Sequence, residues 1–230
     1  MIWFDPVYFL FLGPAMLLAI WAQIRVKSAF GWASRLRPSS GYTGAQAADA
    51  LLNAAGVHGV KIVPTQGFLS DHYVPGERIL RLSPDVYAGQ SLAAVGVAAH
   101  EAGHALQDAQ RYPLLVMRNA LVPAASFGSG MSWIIIFVGL LLQSMGLILA
   151  GIILFSVMVV FQLVNLPVEF DASRRARIAL VDSGLVTGEE DQAVGKVLNA
   201  AALTYVAATI SSVMTLLYYL YRSGLLGGRR

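Results

Sequence analysis

Residues 132–167, "SWIIIFVGLLLQSMGLILAGIILFSVMVVFQLVNLP", form a run of 36 without a single charged side chain. A bilayer core is crossed by about 20 apolar residues in a helix. A run close to twice that length reads as two spans, about 125–143 and 146–166, with a hairpin turn near "LLQSMG" at 141–146. Lipid offers backbone groups no hydrogen bonds, so these segments must satisfy their own as helices. The rest of the chain agrees: 57% of its 230 residues are hydrophobic and 13% charged, against about 25% charged in soluble domains.

Two further apolar runs bring the expected spans to about four. The first is "VYFLFLGPAMLLAIWAQI", residues 7–24. No Lys or Arg precedes it, and Arg25, Lys27, Arg35 and Arg37 follow it. That is the pattern of a retained anchor rather than a cleaved signal, and it directs residue 25 onwards to the cytoplasm. The last run, about 201–221, ends in a Tyr-rich stretch suited to an interface. Residues 25–118 hold nine Lys/Arg and residues 167–198 hold four, so the polar parts, about 25–120 and 167–198, are both expected in the cytoplasm. Four spans place the tail outside, where Arg222, Arg229 and Arg230 depart from the charge rule. The expectation is one membrane domain covering 1–230. The net charge of +3 belongs to these span flanks. No basic-aromatic interleaving suggests nucleic acid, and the absence of Cys excludes thiolate metal sites.

The first polar part is the most soluble in character. Thr43 is a good N-cap for a helix to about Ala55, stopped at Gly56. "VKIVPTQG" reads as a strand, and "GFLSDHYVPGERILRLSPDVY" as two strands joined at "VPGE". Residues 91–110 read as a helix capped by Ser91. In the second part, two amphipathic helices are expected, broken at "SGLVTGEE", with Thr187 and Glu190 as a capping box.

The Ser91 helix carries "VAAHEAGHALQ". His100 and His104, four apart, share one helical face and can aim both imidazoles at one ion. Glu101, beside the first, can reach a water on that ion and take its proton. Zn2+ with three protein ligands and an open position lowers the pKa of that water to about 7. Three polar side chains on an Ala-rich helix are costly to bury without such a purpose. One Zn2+ per chain is expected.

A third ligand must come from elsewhere, and the downstream acidic residues are Asp108, Glu169, Asp171, Asp182, Glu189, Glu190 and Asp191. Glu169 stands out, expected to open a helix after "NLP" as the chain leaves the third span. Its other reading is charge at a helix N-terminus. His72, in "LSDHYVPGERILRLS", is a candidate catalytic residue that could hydrogen-bond an oxyanion from beside an edge strand, or be an ordinary loop histidine on a turn. Asp71 and Tyr73 are weaker candidates there. "RILRLS" could pair with an extended peptide, or be an ordinary hairpin strand. His58 reads as a helix C-terminal partner, and Arg174, Arg175 and Arg177 as headgroup anchors in preference to partners of a substrate carboxylate.

"AAHEAGHALQ", two apolar spans, then "LPVEFDASRRA" resemble the YugP-type family of membrane zinc metallopeptidases. "SDHY", "LRLSPDVY" and "SLAAVGVAAHEAGHA" extend the likeness to about residues 38–200. More distantly the chain is similar to the HtpX-type membrane proteases. The resemblance implies an α-helical membrane protein with a small α+β zincin-like cytoplasmic portion. It implies a gluzincin peptidase with His100, His104 and Glu169 as ligands and Glu101 as general base. The HtpX-like pattern has Ala and Asp three and four residues after the ligand Glu. Here Ala172 matches, while Ser173 stands for the Asp and leaves Asp171 as the candidate partner of the ligands.

The expected function is therefore an integral membrane zinc endopeptidase hydrolysing peptide bonds with a zinc-activated water, its substrates proteins or peptides, membrane proteins among them. A regulatory membrane partner is compatible with this. Two rivals remain: a site-2-like intramembrane protease, and a non-catalytic scaffold with structural zinc. Asp108 and Arg111, close after the motif, argue against the first. Closed four-coordination by protein would mark the second.

Overall fold

The computed structural model describes residues 5–225, so Arg229 and Arg230 lie outside the described residues. Its elements run α1 (Pro6–Ala33), α2 (Gly44–Ala54), β1 (Lys61–Pro64), β2 (His72–Val74), β3 (Ile79–Leu82), α3 (Pro84–Tyr87), α4 (Leu92–Ala109), α5 (Pro113–Leu141), α6 (Met145–Asp182) and α7 (Gly188–Arg222). Four of them, α1, α5, α6 and α7, are long and apolar enough to cross a membrane. The turn between α5 and α6 falls at Leu142–Ser144, as the hairpin reading requires, with Gln143 at φ 51°.

Contacts gather the chain into two compact units. The first takes the described residues of Met1–Ala22, Met117–Leu166 and Thr204–Arg230. Ile136, Ile152, Phe155, Val159 and Tyr219 are its buried cluster. Gly128 and Gly151 let α5 and α6 approach: a Cβ on Gly151 would fall 2.5 Å from an Ile136 side-chain carbon. Arg222, whose charge departs from the expected sidedness, faces Asp5 at 3.4 Å.

The second unit is Gln23–Val116 with Pro167–Leu203. Thr43 caps α2 with a full capping box to Gln46, a device worth about 1 kcal/mol. Ser91 caps α4 through the Ala94 amide. β2 and β3 pair antiparallel, Tyr73 opposite Leu80. β1 pairs parallel with β3, Lys61 opposite Ile79. The order β1-β3-β2 puts β3 in the middle. "RILRLS" is therefore paired on both sides and has no free edge for a peptide. The residues after it, Pro84–Tyr87, form a short helix instead of continuing the strand, with Pro84 in its first turn.

The largest departure from expectation is at Pro167. Glu169 does not open a helix: Pro167 lies inside α6, which runs unbroken for 38 residues. Likewise the two amphipathic helices are continuations of apolar ones, and the only break is at 183–187. A helix-interior Pro costs about 3 kcal/mol. Packing outweighs it: Val168, Ala172, Ala176 and Leu180, spaced by four, are all fully buried and bury one stripe of α6 in this unit. The Thr187–Glu190 capping box forms as expected at the start of α7.

Candidate metal centre

Helix α4 holds its Ala-rich faces in the core of the second unit. Ala98, Ala99 and Ala102 are fully buried, and Glu101 and His104 are each 8% exposed. Small residues let α6 come close. A Cβ on Gly103 would fall 2.5 Å from the Ala172 carbonyl oxygen, a separation that side chains do not tolerate. That close approach delivers Glu169 to the histidines.

His100, His104 and Glu169 converge, each offering a ligand atom within 4.8 Å of the others. Glu169 Oε2 lies 3.3 Å from His100 Nε2 and 3.6 Å from His104 Nε2. Donors at about 2.0–2.1 Å around a tetrahedral zinc sit about 3.3 Å from one another. The observed spacing therefore suits an ion of that size.

The hydrogen bonds behind the ligands decide which nitrogen is free. Gln107, fully buried, donates from Nε2 to the Val168 carbonyl and to Asp171, both at 2.9 Å. Neither partner can donate back, so the amide orientation is set. Its Oε1 then faces His104 Nδ1 at 3.0 Å and accepts a hydrogen bond from the Nδ1–H. The neutral His104 ring accordingly keeps its Nε2 lone pair for a metal. Ser173 Oγ lies 3.0 Å from His100 Nδ1. Glu169 Oε2 is buried with no hydrogen-bond partner. With both rings neutral, lone pairs converging on one point without a donor are unfavourable unless a cation sits among them, so the three residues form a group that could hold a metal ion.

Electrostatics agree. Burial alone pushes the Glu169 carboxyl up, but the two imidazoles outweigh it and hold it far below the usual carboxylate range. Burial pushes His104 down, and Glu169 more than reverses this, raising it. The carboxylate draws positive charge into the centre, whether as a proton or as a metal ion.

Two contacts were not read from sequence. Gln107 is three residues after His104 on the same face of an apolar helix, a spacing that could have marked it. Ser173 itself takes the place facing His100, and Asp171 acts one step back, through Gln107. Arg174 and Arg175 pair with Asp171, Arg175 also lies over the Tyr112 ring, and Arg177 pairs with Asp191. These arginines brace the second unit.

His72 is exposed on edge strand β2 and does not belong to the metal-binding group. Its Nδ1 donates to the Ser70 carbonyl at 2.7 Å, so its Nε2 can donate to an oxyanion only when the ring is protonated. Tyr73 donates to Asp108 at 2.8 Å, tying β2 to α4. Asp71 accepts from the Ser83 amide at 2.7 Å, and burial pushes its carboxyl up. His58 lies beyond the α2 cap, and its carbonyl accepts from Arg78.

Two histidines one turn apart, a glutamate from a remote helix and a carboxylate beside the first histidine are the arrangement of an HExxH pattern, and the first three could hold a metal ion. The chain belongs to the family described as "Putative neutral zinc metallopeptidase", whose model matches residues 8–224. It is similar to a protein of Bacillus subtilis (strain 168) described as "Putative membrane protease YugP". The two are 48% identical over 212 residues, 92% of this chain and 94% of the relative. No solved structure matches it.

Proposed function

We propose that the chain is a multi-pass membrane zinc endopeptidase whose active site faces the cytoplasm. The observation that carries the reading is the number of protein donors. Among the described residues three converge, His100, His104 and Glu169. A structural zinc site is closed by four, whereas a catalytic one keeps a position open.

His100, His104 and Glu169 would hold one zinc. When bound, it supplies a Lewis acid that polarises a peptide carbonyl and lowers the pKa of water. Glu101 takes the proton from the attacking water at its carboxylate and returns it to the departing amine nitrogen. Gln107 and Ser173 keep the two imidazoles in register. β2 is a sheet edge and packs against α4, so an extended peptide added to it would run beside the motif helix. His72, on that edge, would serve as a protonated donor to the carbonyl oxygen. Membrane placement is supported by the four apolar helices and the relative's printed name. The cytoplasmic side is supported by the Lys and Arg of both polar parts.

The test is Glu101→Gln in full-length protein with zinc content measured. Proteolysis should be lost with zinc retained; cleavage persisting at full zinc occupancy would overturn the reading.

A further inference from the structure

Three surface pockets of the second unit differ in charge. One, of about 470 Å³, has Arg174 and Arg177 offset by Asp182 and Asp191. A second, of about 560 Å³, has Arg35, Arg37 and Lys196 facing Glu189 and Glu190. The third, of about 420 Å³, is lined by Arg25, Ser28, Trp32, Lys196 and Asn199 with three apolar neighbours; it shares Trp32 and Lys196 with the second, and no carboxylate is in its own lining.

That third pocket is formed by two helix faces. α1 contributes residues 25, 28, 29 and 32, and α7 contributes 196, 199, 200 and 203. Both sets follow the i, i+3, i+4, i+7 spacing of a single helical face. Both also fall where their helices change character. Arg25 is the first residue after the apolar run 7–24, and the apolar run 201–221 begins just past Asn199. Lys196 Nζ lies 4.7 Å from the centre of the Trp32 ring, which helps hold the cation at the pocket wall. Two cations, a hydroxyl and an amide provide charge and hydrogen bonds for a phosphodiester. A tryptophan at such a boundary is the residue type that prefers the headgroup level.

We infer that this α1–α7 pocket binds the headgroup of an anionic phospholipid, through Arg25 and Lys196 with Ser28 and Asn199 as hydrogen-bonding partners. The inference rests on the reading of α1 and α7 as membrane spans. Juxtamembrane basic pockets are known to take such headgroups. The ligand phosphate could also be free in solution, and the test separates these sources.

The full chain is reconstituted in phosphatidylcholine vesicles containing either brominated phosphatidylglycerol or brominated phosphatidylcholine at equal bromine content. Tryptophan fluorescence is the readout, and Trp32 is one of four tryptophans. Brominated phosphatidylglycerol should quench more than brominated phosphatidylcholine. That excess should vanish in Trp32→Phe, which removes the reporter. It should also vanish in the double variant Arg25→Gln, Lys196→Gln, each lost charge weakening lipid binding by about fivefold. Zinc content measured on every variant reports that the fold persists, and Arg25→Gln alone, at an exposed position, gives a milder version. Equal quenching by the two lipids in the wild type overturns the site while leaving the membrane reading intact. So does an excess that survives either substitution. An excess erased by inorganic phosphate at constant ionic strength assigns the pocket to free phosphate and overturns the lipid. No quenching by either lipid overturns both the membrane reading and the site.

Discussion

The Ala172 carbonyl oxygen lies 2.5 Å from the point where a side chain on Gly103 would begin. Gly103 sits one residue before His104, and Ala172 is three residues past Glu169. This glycine therefore sets how near Glu169 can come to the two histidines.

Gly103→Ala should separate α4 from α6 and loosen the centre. Overpacking of this kind costs about 1–3 kcal/mol. Zinc stoichiometry should fall together with the melting temperature. A variant that binds zinc like the wild type and melts with it would show that this contact does not set the spacing.

Gln107→Leu should weaken zinc binding by about 10–100-fold, the usual cost of losing a hydrogen-bond partner of a metal-bound histidine. Ser173→Ala should cost less. The serine holds His100 by one bond, whereas Gln107 joins His104 to Asp171 and to α6. Competition titration with a zinc chelator measures both, and the reverse ranking would contradict the role given to Gln107.

Stripping zinc should lower the melting temperature, because Glu169 Oε2 has no other partner. Binding at a thousand times Kd contributes about 4 kcal/mol. Readdition should restore it in the wild type but not in Glu169→Gln. If chelation leaves the melting curve in place, the centre is not coupled to folding.

Acid should release the Glu190 clamp. Its carboxylate accepts from the Ser39 amide at 2.6 Å and from the Thr187 amide at 2.7 Å. Burial pushes this carboxyl up, but those hydrogen bonds hold it below its ordinary 4.5. A carboxyl lowered in the folded state adds stability that is fully present above its unfolded value and is lost as pH falls through the lowered folded one. The stability gap between wild type and Glu190→Gln should be constant near neutrality and close below about pH 4.5. A gap that persists unchanged into acid would exclude the clamp.

Elements whose signal is local were readable in advance. The apolar runs, the Thr43, Ser91 and Thr187 caps and the three short strands lie where their residues suggest. Pro167 misled because its cost is local, whereas the buried stripe from Val168 to Leu180 that outweighs it depends on neighbours far along the chain. For β3 the sequence left open a free edge or an ordinary hairpin strand, and its parallel pairing with β1 has no turn sequence to announce it.

The sequence by itself determined the chemistry on offer: His100, Glu101 and His104 on one helix, in a chain with four long apolar runs. Spacings of three and four residues on a helix are geometry that any such chain must obey. The sequence singled out Glu169, 65 residues after His104, without excluding the other acidic residues, and the tertiary structure decided that it is the carboxylate that meets the imidazoles. It also decided that Gln107 and Ser173 are the groups behind them. Those choices depend on which helix faces come within a few ångströms, and the fit of Gly103 against the Ala172 backbone sets that distance.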